Sequence, residues 1–256
     1  MFTRAIVRPP GRNFAEGLTT STLGRPELAK ALEQHERYCR TLEACGLAVT
    51  RLEPDEQFPD STFVEDTAVL AGECAVLTRP GAASRAGEVM GTARALVRHF
   101  EHLQRIPPPG TLDGGDVCQA GGRFFIGISG RTDEAGAAGL ARILEGWGFT
   151  ATPVDIRGIP GILHLKSGIA YIGEGRLVAV AALASLEAFR DFSIVPVAPE
   201  EEYAANCLRI NDTVILPAGY PKLERALGEA GCATAALEMS EFQKMDGGLS
   251  CLSLRF

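Results

Sequence analysis

Nowhere in its 256 residues does this chain offer the 18 or more consecutive apolar residues that a membrane-spanning helix requires. Basic charge is also short: 25 Lys and Arg against 32 Asp and Glu give a formal net charge of −7. With a pI near 5.2, that balance argues against a nucleic-acid or anionic-membrane partner. Cysteine pairs are missing. The seven cysteines are odd in number and none forms a CxxC, which argues against a disulfide framework and for a reducing, cytoplasmic setting. Histidine is scarce at four, and no two His or Cys stand at ligand spacing on one element, so no metal site is expected. The N-terminus reaches Arg4 too soon to hold a signal-peptide core.

What is present is ordinary globular composition, 46% hydrophobic and 22% charged, on a chain long enough to bury a sizeable core. Proline-rich connections such as Pro107-Pro108-Pro109 are short, so residues 1–256 are expected to form a single domain. The acids are uneven. From Glu53 to Glu73 there are seven, with no Lys or Arg between them, a stretch that would draw a cationic ligand or serve as a solvated face.

A repeat organises the chain. Short β-prone runs flank turn residues near 72, 121, 174 and 211, intervals of 49, 53 and 37 positions. Helical segments fall between them. One runs from Pro26 to Cys45 and stops at Gly46; a second extends from Ser84 to about Leu103. A third starts after the N-cap candidate Thr132, and shorter ones span 185–189 and 221–228. Single β-rich runs return at 47–52, 149–156, 194–197 and 233–239. The unit reads strand–strand–helix–strand, about five times over, an α/β fold of repeated modules.

Four features carry the chemistry-bearing residues. Glu65 and Asp66 are adjacent at the entrance to a hairpin. Neighbours on a strand face opposite sides, so a bulge or a strand end is needed if both are to serve one site. Asp113-Gly114-Gly115-Asp116 places glycines where backbone and ligand can meet closely. His164 lies between Leu163 and Leu165, as a core histidine or, given a carboxylate partner, as an acid–base group. Cys251 follows a Gly-Gly turn at the start of a terminal apolar strand, as a small apolar filler or as a nucleophile. His35, His99 and His102, among charged helical neighbours, read as solvated. The other six cysteines read as packing residues.

The ordered runs FPDSTFVEDT (58–67), TRPGAASR (78–85), LDGGDV (112–117), GISGRT (127–132), LHLKSG (163–168) and DGGLSCLSLRF (246–256) resemble the dimethylarginine dimethylaminohydrolase family of guanidine-modifying enzymes. GLTTSTLG (17–24) and YAANC (203–207) also look like family segments. The resemblance implies the pentein α/β-propeller, five ββαβ modules around a pseudo-fivefold axis. It implies a hydrolase that turns methylated arginines into citrulline without a cofactor, on a small-molecule substrate, in a monomer or homodimer. Carried over residue by residue, it makes Cys251 the nucleophile, His164 the general acid and base, and Asp113 the group that orients the histidine. Asp66 would hold the guanidinium, which Asp113 would also contact; Glu65 and Asp60 match further substrate contacts, and Arg85 and Arg131 the pair that grips the α-carboxylate. Leu18 would be a lid residue, and the backbone of Met245 a further contact. Two alternatives stay open: a related guanidine hydrolase acting on arginine, and a non-catalytic binding protein of the same fold. Arginine deiminases are longer through a helical insertion that this chain lacks.

Overall fold

The computed structural model describes residues 1–256. The chain starts with strand β1 (Arg4–Val7), helix α1 (Leu28–Ala44) and strand β2 (Ala48–Arg51). Four complete modules follow. The first is β3 (Ala68–Ala71), β4 (Cys74–Leu77), α2 (Glu88–Leu96) and β5 (His102–Arg105). Next come β6 (Val117–Ala120), β7 (Arg123–Ile128), α3 (Glu134–Gly146) and β8 (Thr150–Asp155). The third is β9 (Ile169–Gly173), β10 (Arg176–Ala179), α4 (Ala181–Ala184) and β11 (Ser193–Pro196). The fourth is β12 (Leu208–Ile210), β13 (Thr213–Pro217), α5 (Pro221–Glu229) and β14 (Ala233–Leu237). Helix α6 (Ser240–Gln243) then leads to β15 (Ser253–Arg255).

Each module is a three-stranded sheet: an antiparallel hairpin whose second strand pairs in parallel with the strand beyond the helix. The parallel step needs a crossover, and the helix supplies it. The fifth sheet is closed by the two ends of the chain. β15 pairs antiparallel with β1, Ile6 opposite Leu254, and β1 pairs parallel with β2. The expected five ββαβ units are therefore present, one of them assembled from both termini.

The hairpin turns fall where turn chemistry placed them. Gly72 (φ 58°), Gly121 (φ 64°), Glu174 (φ 53°) and Asn211 (φ 51°) all take the left-handed conformation that tight two-residue hairpins demand. Helix α1 stops at Gly46 (φ 93°), with the N–H of Leu47 returning to the carbonyl of Leu42. Other boundaries moved. The N-cap of α3 is Asp133, which accepts the Gly136 N–H at 2.7 Å, while Thr132 turns its hydroxyl inward to Asp116. The expected helix 84–103 is only Glu88–Leu96, and His102–Arg105 is a strand; its polar HLQR sequence has no apolar alternation to reveal it, and pairing with β4 decides the matter. Of the expected 185–189 helix only a 3-10 turn at Glu187–Phe189 forms, and the short α4 precedes it.

The cores lie between each sheet and its helix. Ala137, Leu140 and Leu144 of α3 pack on Phe124 and Ile126 of β7; Ala31, Tyr38 and Leu42 of α1 pack with Ala5 and Val7 of β1. Each such leucine contributes roughly 1.5–3 kcal/mol by burial. The first strands β3, β6, β9, β12 and β15 ring the central axis, where they line a cavity of about 620 Å³. No helix is long and apolar enough to cross a membrane.

Candidate active site

Every inner strand is entered through a short irregular segment, and those entrances converge at one end of the axis. A 3-10 turn at Val64–Thr67 precedes β3 and resolves the problem posed by adjacent acids: Glu65 and Asp66 leave the turn in different directions. Asp66 accepts the Gly115 N–H at 2.8 Å and Arg85 Nη1 at 2.6 Å. Glu65 takes Lys166 Nζ and Arg255 Nη2 on Oε1 at 2.7 and 2.8 Å, and the Ser250 hydroxyl on Oε2 at 2.8 Å. This carboxylate forms a partition between the catalytic end and the central cavity, which it also lines.

Asp113, Asp66 and His164 each offer one polar atom within 4.8 Å of the others. His164 Nε2 lies 3.0 Å from Asp113 Oδ2, and the other Asp113 oxygen accepts the Gly81 N–H at 2.9 Å. These three could bracket a metal ion, but Asp113 and His164 already pair, and Asp66 carries the Arg85 guanidinium. The glycines of this loop have a purpose other than ligand approach. A Cβ on Gly114 would stand 2.0 Å from the Glu65 carbonyl, and one on Gly115 2.8 Å from both Asp66 Oδ1 and His164 Nδ1. Asp116, an acid not singled out in the sequence, is a buried brace: it accepts Ser129, Thr132 and the Leu165 N–H at 2.7, 2.7 and 2.9 Å, tying the His164 segment to the neighbouring module.

Cys251 sits half-buried on the 3-10 turn before β15. Its Sγ has Asn206 Nδ2 as a polar neighbour at 4.0 Å. The preceding glycines are again packed against protein. A Cβ on Gly247 would meet the Phe63 ring at 2.2 Å, and one on Gly248 the Asn206 amide at 2.5 Å.

The remaining residues divide. Asp60 is buried and accepts the Leu18 N–H at 3.0 Å, with Leu18 itself 42% exposed on the loop above it. Met245 is buried, its methyl near Gly17. Arg131 is half-buried and near enough to Asp60 to draw its carboxyl downward against the upward push of burial. Arg85 is 6% exposed and not solvated at a helix end: Nε and Nη2 chelate Glu88 at 2.8–3.1 Å, Nη1 holds Asp66, and Nη2 also reaches the carbonyls of Asp60 and Phe63. Glu88 had no signal of its own beyond lying three residues after Arg85. His35, expected to be solvated, is 3% exposed against Cys39, and burial pulls its pKa down to about 4. It is a neutral core residue. His99 and His102 are exposed.

The electrostatics set the resting state. Burial alone would lower His164, but Asp66 and the hydrogen bond to Asp113 outweigh it and raise the imidazole to about 9. Burial likewise works to raise Asp66, and His164 and Arg85 hold it down at about 2. The Cys251 thiol is pushed up to about 12, first by burial and then by the Glu65 and Asp66 charges. Near neutral pH the site therefore holds an imidazolium, an ionised Asp66 and a neutral thiol. No protein-family model matches the chain. It is, however, 44% identical over its full length, and that of its relative, to the dimethylarginine dimethylaminohydrolase of Pseudomonas aeruginosa. The chain belongs to the dimethylarginine dimethylaminohydrolase family. A second relative of that family from Streptomyces coelicolor is 34% identical over 98% of this chain and 96% of its own. Two solved dimethylarginine dimethylaminohydrolase structures superpose with a TM-score of 0.97 at 43% identity, each over the whole of both chains. One is a histidine-to-glycine variant as an adduct with S-methyl-L-thiocitrulline; the other, from P. aeruginosa, is a cysteine-to-serine variant complexed with citrulline. The N-terminal domain of the arginine dihydrolase ArgZ shares the fold at TM-score 0.88 and 21% identity.

Proposed function

We infer that this chain hydrolyses Nω-methylated arginines to citrulline and methylamine or dimethylamine, through a covalent adduct on Cys251. One observation carries the reading: a thiol on a turn lies within range of the Asp66 charge, and Asp66, Asp113 and His164 lie within 4.8 Å of one another. A guanidinium is planar and always charged. Carboxylates in its plane can hold it by charge-assisted hydrogen bonds with its carbon over the sulfur. Asp66 is the ionised acid for that role, with Asp60 and Asp113 beside it.

The charge states order the steps. With His164 already protonated, it cannot take the Cys251 proton in the resting state. The arriving guanidinium offsets the Glu65 and Asp66 charges that hold the thiol neutral, and the thiol proton leaves to solvent as the substrate binds. The thiolate then attacks the guanidinium carbon, and His164 protonates the departing amine. The neutral imidazole next deprotonates water, and the hydroxide attacks the S-alkylthiouronium carbon; the C–S bond breaks, the hydroxyl proton passes to the departing thiolate, and citrulline leaves with Cys251 again a neutral thiol. Asp113 fixes the ring throughout. Arg131 reads the substrate α-carboxylate, with the free Nη1 hydrogen of Arg85 as the second donor; Leu18 covers the bound side chain, and the Met245 backbone supports the turn. Glu65, saturated by three partners, acts through its charge.

The whole chain acts as one catalytic domain, since Asp66 and Cys251 lie far apart in sequence yet share the site. Seven free cysteines fit a reducing cytoplasm. A homodimer is the assembly to test by light scattering. The deciding experiment is citrulline release from asymmetric dimethylarginine, monomethylarginine and arginine in parallel. Turnover of arginine alone would move the chain to the deiminase reading, and no turnover of any would leave a binding protein.

A further inference from the structure

Four of the five strand entrances deliver groups already given roles: Asp66 before β3, Asp113 before β6, His164 before β9 and Cys251 before β15. The fifth, before β12, ends on Asn206, which is 5% exposed. Asn206 Oδ1 accepts the Ser250 N–H at 2.9 Å, and that bond settles which way the amide lies. With the oxygen committed to backbone, Nδ2 faces Cys251 Sγ, the acceptor the structure gives it, at 4.0 Å. The same segment holds the turn at a second point, where the Tyr203 hydroxyl donates to the Gly247 carbonyl at 2.9 Å. Gly248 lies flat against the amide, with no room for a Cβ.

We propose that Asn206 is a further catalytic residue of this site: its amide fixes the turn that presents Cys251, and its Nδ2 donates to the sulfur whenever the sulfur is anionic. The proposal rests on Cys251 being the nucleophile. The sulfur carries charge twice, as thiolate before attack and again as the leaving group when citrulline departs. A contact of 4.0 Å is long for a neutral thiol, but an anion is the stronger acceptor and draws the donor in. The other charged groups acting on the sulfur are Glu65 and Asp66, which oppose its ionisation, and Lys166, which favours it. A neutral donor directed at the sulfur helps the anion without competing with the substrate cation for the carboxylates.

The variants N206D and N206A test this beside Y203F. N206D is isosteric and keeps an acceptor for Ser250 while replacing the donor by an oxygen. At pH 9, iodoacetamide labelling of Cys251, followed by peptide mapping, should slow about tenfold in N206D and less in N206A. kcat on dimethylarginine should fall at least tenfold with KM within about threefold. Y203F loosens the turn alone, so its labelling should not slow. A role confined to holding the turn would expose the sulfur and make labelling of the Asn206 variants faster or unchanged; that result, or wild-type kcat in N206D, overturns the proposal. The underlying reading fails separately: C251S with substantial turnover would remove the nucleophile itself, whatever the Asn206 variants do.

Discussion

The two ends of the central axis are built from the same five strands and differ in what their charges are doing. At one end lies a hollow of about 620 Å³, bordered by side chains such as Cys118, Phe124, Tyr171 and Leu208, with Glu65 neutralised at its floor by Lys166 and Arg255. At the other lies a thiol near 12, pushed up by burial and nearby carboxylates, with an imidazole near 9 and a carboxylate near 2, both displaced by their neighbours against the pull of burial. The displaced titrations mark the chemistry, because groups held away from their solution behaviour are what acid–base and nucleophilic steps need. Glu65 belongs to both ends, and it is the wall between them.

The comparison breaks most visibly at cysteine. Cys251→Ser should keep the fold and lower turnover by more than about 10³-fold, since an alcohol lacks the thiol's accessible anion. Cys118→Ala, on the cavity side, should leave kcat within about twofold. Circular dichroism and citrulline assays on both variants check this, and equal losses would show that the two ends are not functionally separate.

His164→Asn should cost about 10²–10⁴-fold, the range of a general acid–base group. If one imidazole serves both halves of the reaction, as proposed, intact mass spectrometry of quenched variant should show either no adduct or one that accumulates. Wild-type turnover without an adduct would make His164 a core residue. The pH behaviour follows from its sign. The folded pKa near 9 exceeds the unfolded value near ~6.5, so its stabilisation is complete below about 6.5 and is lost as pH rises through 9. The amine-protonating step is lost over the same rise, so wild-type kcat should fall above pH 9.

Arg131→Ala should cost about one to two orders of magnitude in kcat/KM on dimethylarginine, from charge-assisted bonds of roughly 1.5–3 kcal/mol each. On the decarboxylated analogue the loss should vanish. Arg85→Ala should cost activity on both substrates and lower Tm as well, because it strands Asp66 and Glu88 in the interior. Losses from Arg131→Ala that are equal on both substrates would show that it does not read the carboxylate.

How much of this was legible from sequence divides along a physical line. The hairpins were, because Gly72, Gly121 and Asn211 must be residues that accept positive φ, a constraint local to the turn. So was the pairing of His164 with Asp113, whose motifs stand in family order and which the fold brings to 3.0 Å. Closure of the fifth sheet was not, since β15 and β1 are the two ends of the chain and no local pattern joins them. His35 was missed because its charged neighbours Glu33, Glu36 and Arg37 describe the helix's outer face, while its own face is decided by what packs on it. Glu88 was missed for the same reason: a carboxylate in the first turn of α2 looks solvated until Arg85 is seen folding back onto it. Asn206 had a signal that could have been used. It precedes β12 as Cys251 precedes β15, and the repeat makes those places equivalent.

The smallest expected effect is at the wall. Lys166 Nζ lies 2.7 Å from Glu65 Oε1, but Arg255 Nη2 holds the same oxygen at 2.8 Å, so Lys166→Met leaves the carboxylate paired. What it removes is the cation that favours ionisation of Cys251. A lone, partly screened charge acts at about 1 kcal/mol or less, which converts to a loss of about threefold to fivefold in kcat/KM with little change in Tm. Glu65→Gln should do the reverse at the sulfur, easing its ionisation, while costing stability by leaving Lys166 and Arg255 facing one another. Iodoacetamide labelling of Cys251 at pH 9 reads both: slower in K166M, faster in E65Q. Labelling that moves the same way in both variants would mean the wall acts only by holding shape, and the charge would cease to be the link between the two ends.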